Sequence, residues 1–81
     1  SEVISDKLKG KTIVISGNFS ISREAIGALI ESHSGRNSSS VSSKTDYLLA
    51  GEKAGPSKLE KAAKLGVAII TEEEFMNMIN N

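Results

Sequence analysis

Lys58 and Arg23 are the two residues that folding alone explains least well. In "GPSKLEKAAKLG", Gly55 and Pro56 mark a helix start and Gly66 its stop, which puts Lys58 in the first turn. The positive end of the helix dipole lies there, and a lysine at that point costs about 0.3–1 kcal/mol. Its i+3 and i+4 neighbours are Lys61 and Ala62, so no carboxylate of its own helix relieves it. Arg23 repeats the pattern. It follows the N-cap candidate Ser22 in "SREAIGALIESHSG", and its neighbours at the same spacings are Ile26 and Gly27. Two cations at two helix N-termini, beside backbone N–H groups that lack intrahelical acceptors, suit a doubly charged anion such as a phosphate monoester. Ser16 adds a hydroxyl donor, and Gly17 lets the backbone approach an anion with no side chain in the way. The competing reading leaves both cations as solvated surface residues.

Other chemistries lack their residues. "GEKAGPSK" has Pro56 and Ser57 where a P-loop requires Gly and Lys, and "SGNFSISR" holds one Gly and no G-x-G-x-x-G. Ser16 and Ala50 stand at strand ends where a receiver-type phosphoacceptor needs Asp. No Ser/His/Asp or paired-carboxylate arrangement emerges, so no catalytic residue is named. With no Cys and a single His, neither a thiolate nor a His-rich metal site is expected. His33 continues an apolar stripe at a helix end, where packing or capping is its expected role. The three acids from Glu72 suit a helix dipole better than catalysis. Lys7, Lys9 and Lys11 alternate and can share a solvated face, with DNA backbone contact as the alternative.

The elements that must position these residues follow from periodicity. "TIVIS" (12–16) is a β-branched run that reads as a strand buried on both faces. In the helix after it, Ile26, Leu29, Ile30 and His33 form one stripe and Gly35 is the stop. Gly27 inside that helix costs about 1 kcal/mol against Ala, and close packing is its expected reason. "RNSSSVSSKT" reads as loop, with a short edge strand beginning near Arg36. "DYLLAG" (46–51) is the second clear strand. The Lys58 helix follows, with Leu59, Ala62 and Ala63 on its apolar side. "VAII" (67–70) is the last strand, and "TEEEFMNMIN" is a helix with a capping box, Thr71 with Glu74, and a buried stripe of Phe75, Met78 and Ile79. Residues 1–10 are a lead-in whose Leu8 docks on the core. This alternation predicts an α/β fold with a parallel sheet and helices on both faces. Ligands in such sheets bind beyond the carboxyl ends of the strands. Ser16-Gly17 and Ala50-Gly51 fall there together, so Arg23 and Lys58 are expected to converge on one edge.

Eighty-one residues are expected to make a single domain, 1–81. A start at Ser1, with both Met residues near the other end, reads as a domain cut from a longer protein. Hydrophobic content of 38% with 25% charged residues is that of an ordinary soluble domain. No run is long enough to cross a membrane, and no signal peptide opens the chain. The formal net charge is zero, so any attraction to nucleic acid has to be local.

"GKTIVISG", "SREAIGALIESHSG" and "VSSKTDYLLAGEKAGPSKLEKAAKLGVAIITEEEF" together resemble a BRCT domain along nearly the whole chain. The subgroup most resembled stands at the C-terminus of bacterial NAD-dependent DNA ligases, and the clamp-loader large subunit carries a similar domain. The specific part runs from Val41 to Ile70. The resemblance implies a four-stranded parallel sheet in the order 2-1-3-4, with the first and third helices on one face and the second on the other. It also implies a phosphate held by a Ser or Thr and a Gly at the end of the first strand and by a Lys at the start of the second helix. Ser16, Gly17 and Lys58 match those positions, and Arg23 resembles the basic residue that faces a DNA 5′-phosphate in the clamp-loader type. The Trp that many members carry in the last helix is replaced by Glu74-Phe75, the usual Gly-Gly by Ser34-Gly35, and an apolar residue of the second strand by Asn37.

The resulting expectation is a DNA-binding accessory module of a NAD-dependent DNA ligase. Its partner is duplex DNA with a nick or 5′-phosphate, in replication and repair. Lys9, Lys11, Lys44 and Lys53 are candidate contacts to the DNA backbone. A monomer in the bacterial cytoplasm, with other domains of the parent as possible partners, completes the reading. No cofactor is expected in this domain; NAD and Mg²⁺ belong elsewhere in the parent. The alternative is a protein-interaction or scaffolding module with a vestigial phosphate pocket.

Overall fold

The computed structural model describes residues 4–80. Along the chain come β1 (Thr12–Ser16), α1 (Arg23–Ser32), β2 (Arg36–Ser38), β3 (Tyr47–Ala50), α2 (Pro56–Leu65), β4 (Ala68–Ile70) and α3 (Glu72–Asn80). All strand pairings are parallel, and the strand order is β2-β1-β3-β4. The two central strands bury both of their faces, which is why they read as continuous apolar runs rather than alternating ones. Ile13, Ile15 and Leu49 meet Ile26 and Ile30 of α1 and Phe75 and Ile79 of α3. Val14 and Leu48 point the other way, to Val41, Ala62 and Val67, with Leu59 of α2 packed alongside. Helices α1 and α3 therefore cover one face and α2 the other. Each fully buried aliphatic or aromatic side chain in these clusters contributes about 1.5–3 kcal/mol. Leu8 joins the first cluster at 1% exposure, so the described part of the lead-in is anchored there.

The helix ends follow the capping chemistry with one exception. Ser22 Oγ accepts from the Ala25 N–H at 3.1 Å. Thr71 and Glu74 close a reciprocal capping box at 3.2 Å in both directions. Gly66 ends α2 in the left-handed region at φ 76°. At the end of α1, however, the left-handed residue is Ser34, at φ 69°, and not Gly35. The Ser34 hydroxyl donates to the Ser5 carbonyl at 2.8 Å, a local bond that offsets part of the backbone cost. His33 is the C-cap of α1 and is buried, with its Nδ1 against Ser5 Oγ at 2.5 Å, a packing and capping role.

Three smaller expectations are corrected. Ala63 is exposed; the buried side of α2 is carried by Ala62, with Leu59 half-buried beside it. The last strand begins at Ala68, one residue later than predicted, and as an edge strand it leaves Ile69 exposed. Residues 7–10 form a turn, so the alternate spacing of Lys7, Lys9 and Lys11 does not by itself put them on one shared face. Lys7 Nζ instead donates to the Ile79 carbonyl at 3.1 Å, at the negative end of α3. No helix of the described residues is long and apolar enough to cross a membrane.

Candidate phosphate-binding cleft

Parallel register brings the carboxyl ends of the strands to one edge, with Ser38 beside Val14 and Ala50 beside Ser16. Beyond β1 and β2 that edge holds an open cleft of about 510 Å³, lined by Ile15, Arg23, Glu24, Asn37, Ser38, Ser39 and Lys58. Arg23 enters as the first residue of α1 and is exposed. Lys58 enters from the first turn of α2, half-buried. These helices lie on opposite faces of the sheet, yet their N-terminal cations share one cavity. The convergence predicted for Arg23 and Lys58 is present.

Ser16 and Gly17 stand next to this cleft rather than among its lining residues, and each is already engaged. Ser16 is buried, and its Oγ accepts from the N–H of Gly55, the N-cap residue of α2, at 3.1 Å. Among the described residues its own O–H has no acceptor, so the hydroxyl remains a donor whose position is fixed by the start of the Lys58 helix. Gly17 has φ 91°, and a Cβ there would lie 2.7 Å from the Glu52 carbonyl oxygen. The reason is a pairing of loops: Asn18 and Glu52 exchange N–H···O bonds of 2.8 Å in both directions, and the Gly51 N–H donates to the Ser16 carbonyl at 2.8 Å. Gly51 faces the same constraint from the Asn18 carbonyl. The close approach that Gly17 permits is thus made by the protein's own β3–α2 loop. That contact locks α2, and with it Lys58, onto the end of β1.

Asn37, Ser38, Ser39 and Glu24 went unrecognised as cleft residues in the sequence. The short edge strand expected from Arg36 is present as β2, but the sequence does not show that its carboxyl end, beside β1, delivers an amide and two hydroxyls to the cleft. The combination of a polar run with strand order 2-1-3-4 is the signal that would have found them. Asn37 also explains Gly27: a Cβ at Gly27 would sit 2.7 Å from the Asn37 Nδ2, so the helix makes room for that amide. Glu24 places a carboxylate beside the two cations and opposes any anion bound between them.

The remaining lysines divide between the two edges. Lys11 and Lys44 flank the amino ends of β1 and β3, where Thr12 N–H donates to Asp46 Oδ2 at 2.8 Å and Arg36 N–H to the Lys11 carbonyl at 2.8 Å. Lys9 lies in the preceding turn. Lys53 is in the loop after β3, at the carboxyl edge with the cleft, in a left-handed conformation of φ 57°. The first acid of α3 has a partner of its own. The Glu72 carboxylate accepts from the Ser20 hydroxyl and from the Ser20 N–H at 2.9 Å, and these bonds hold its pKa below the ordinary glutamate value. Among the described residues no group of three or more His, Asp or Glu is placed to hold a metal ion.

The model of the BRCA1 C Terminus (BRCT) domain matches residues 3–79. A DNA ligase of Parabacteroides distasonis is 67% identical over 76 residues, which is 93% of this chain and 11% of the ligase. One of Aquifex aeolicus is 52% identical over 81 residues, 99% of this chain and again 11% of the ligase. The chain therefore spans about a tenth of the length of the curated relatives it matches. Among solved structures, Rad4 BRCT1,2 in complex with a Crb2 phosphopeptide matches with a TM-score of 0.81 at 20% identity, over 93% of this chain and 41% of that one. The BRCT domain of the human DNA repair protein REV1 matches with a TM-score of 0.70 at 25% identity, over 94% and 76%. The strand order, the two helical faces and a family match over nearly the full length make this chain a member of the BRCT family.

Proposed function

We infer that the chain is a DNA-binding accessory module of a NAD-dependent DNA ligase and that it engages duplex DNA at a nick or a 5′-phosphate. The observation that carries this reading is the meeting of Arg23 and Lys58 in one cleft from opposite faces of the sheet. A terminal phosphate between them would receive two charge-assisted bonds, and Ser16 O–H is held close enough to the start of α2 to add a third. The first-turn N–H groups of α2, which lack intrahelical acceptors, would favour an anion at that helix end. The DNA ligases among the relatives support a ligase as the parent; on this reading NAD and Mg²⁺ would act in other domains of it. Lys53 extends the basic edge, while Lys9, Lys11 and Lys44 would contact DNA backbone only from the opposite one. Such contacts carry no sequence information.

The test is a titration of isotope-labelled chain with a duplex bearing a 5′-phosphate and with the same duplex lacking it. Shifts at Ser16, Gly17, Arg23 and Lys58 should require the phosphate; equal shifts with both duplexes would remove the cleft from the function. A second reading, a protein-docking module with a vestigial phosphate cleft, is favoured by Glu24, whose charge weakens the site. It predicts no shift in the cleft with either duplex.

A further inference from the structure

A second cavity opens on the carboxyl edge at the Asn18–Glu52 loop pairing, and it shares no lining residue with the Lys58 cleft. It measures about 820 Å³ and lies between the two paired loops and the first turn of α3. Its apolar part is Phe19, Ala50 and Met76; its charged part is Glu52, Glu72 and Glu73. Phe19 and Met76 pack on the core but are only half-buried, so both offer apolar surface to the groove. No lysine or arginine lines it, whereas Arg23 and Lys58 line the neighbouring cleft. The cleft sets two cations beside one acid, Glu24, whereas every charged residue that lines the groove is an acid.

We propose that this groove docks a protein segment in which an apolar side chain is flanked by lysine or arginine. The apolar floor supplies a place for one aliphatic or aromatic side chain, whose burial drives the contact. The rim decides what kind of chain can bring it there. Glu72 is committed to Ser20, but Glu52 and Glu73 are exposed and free to face cations of the partner. Each such surface pair is weak, so the rim acts mainly by exclusion: a phosphate backbone or an acidic segment would be repelled. The groove is therefore a protein site and not an extension of a DNA surface. Because the groove and the Lys58 cleft share no lining residue, both can be filled at once, and the proposal does not depend on what the cleft binds.

Three capped peptides, identical except that a central leucine is flanked by lysines, glutamines or glutamates, test it when titrated to millimolar concentration into labelled chain. The lysine peptide should shift Phe19, Glu73 and Met76, bind about fivefold more tightly than the glutamine peptide, and cause no shift at Lys58. The glutamate peptide should leave the groove unmoved. The double variant Glu52→Gln/Glu73→Gln, which alters only exposed side chains and leaves the Ser20–Glu72 bond in place, should remove the lysine preference. No shift at the groove with the lysine peptide, or equal affinity for the lysine and glutamine peptides, overturns the proposal, and so does a groove shift caused by 5′-phosphorylated duplex.

Discussion

Lys58 and Glu24 line the same cleft with opposite charge, so their removal should act in opposite directions. Lys58→Ala should weaken binding of a 5′-phosphorylated duplex by about 1–3 kcal/mol, the scale of a charged hydrogen bond. Glu24→Gln should strengthen it by up to about 1 kcal/mol, the Coulomb energy of a nearby solvated charge. The two effects on stability also oppose. Lys58 stands at the positive end of α2, so its loss should leave the thermal midpoint unchanged or slightly higher. Glu24 stands in the first turn of α1, where an acid is favourable, so its loss should lower the midpoint slightly. Binding by titration and melting by circular dichroism check both. A marked loss of stability in Lys58→Ala would mean that the lysine is structural. The cations were legible in the sequence because an unrewarded charge in a first turn leaves a mark on local energetics. Glu24 was not, because an acid in that turn is what the dipole already asks for, and nothing local shows which cavity it faces.

At the level of elements, the loops at the carboxyl edge do more structural work than their composition suggests. Gly17 and Gly27 were both read as openings for close approach, yet the structure separates them. Gly17 combines a positive φ with backbone atoms of Glu52 and Ala54 on the Cβ side, neither of which can yield without parting the loops. Gly17→Ala should therefore cost at least about 2 kcal/mol. Gly27 meets only the end of the exposed Asn37 side chain, which can turn away. Gly27→Ala should accordingly be neutral or stabilise by up to about 1 kcal/mol through helix propensity. Urea unfolding of the two variants measures the contrast. The same loop is tied to α3 through Ser20 and Glu72. Because the folded state lowers the pKa of Glu72, its contribution is complete above the unfolded value of about 4.3 and is lost as the pH falls through the lower, folded value. Urea midpoints should fall more steeply below about pH 4.3 in the parent chain than in Glu72→Gln. Equal slopes would show that the Ser20 bonds do not stabilise the fold. Strands, helices and caps were legible here because each is written in a local period or a capping pair. Loop-on-loop contacts such as Asn18 with Glu52 join residues far apart in sequence, and Gly17 alone could not say whether an anion or another loop fills the space beside it.

For the molecule as a whole, zero formal net charge removes long-range attraction, so the proposed DNA binding would depend on where the charges are placed. The carboxyl edge carries Arg23, Lys58 and Lys53, with Glu24 beside the cleft cations and Glu52, Glu72 and Glu73 lining the other groove. Lys9, Lys11 and Lys44 lie at the amino ends of the strands, across a body 32 by 26 by 21 Å. A duplex end seated in the cleft cannot also run along that far edge without wrapping the domain. Counterion release gives a slope of about −0.9 in log K against log salt for each phosphate neutralised. Two cleft cations and Lys53 therefore predict a slope between about −2 and −3, shallow for a DNA-binding protein. Lys53→Ala should reduce the magnitude by about 1, whereas Lys44→Ala should leave it unchanged. A slope steeper than about −4, or equal effects of the two substitutions, would place the DNA across both edges and take the binding out of the cleft. Affinities measured across a salt series for the three proteins distinguish a phosphate held at one edge from a duplex laid over the whole surface.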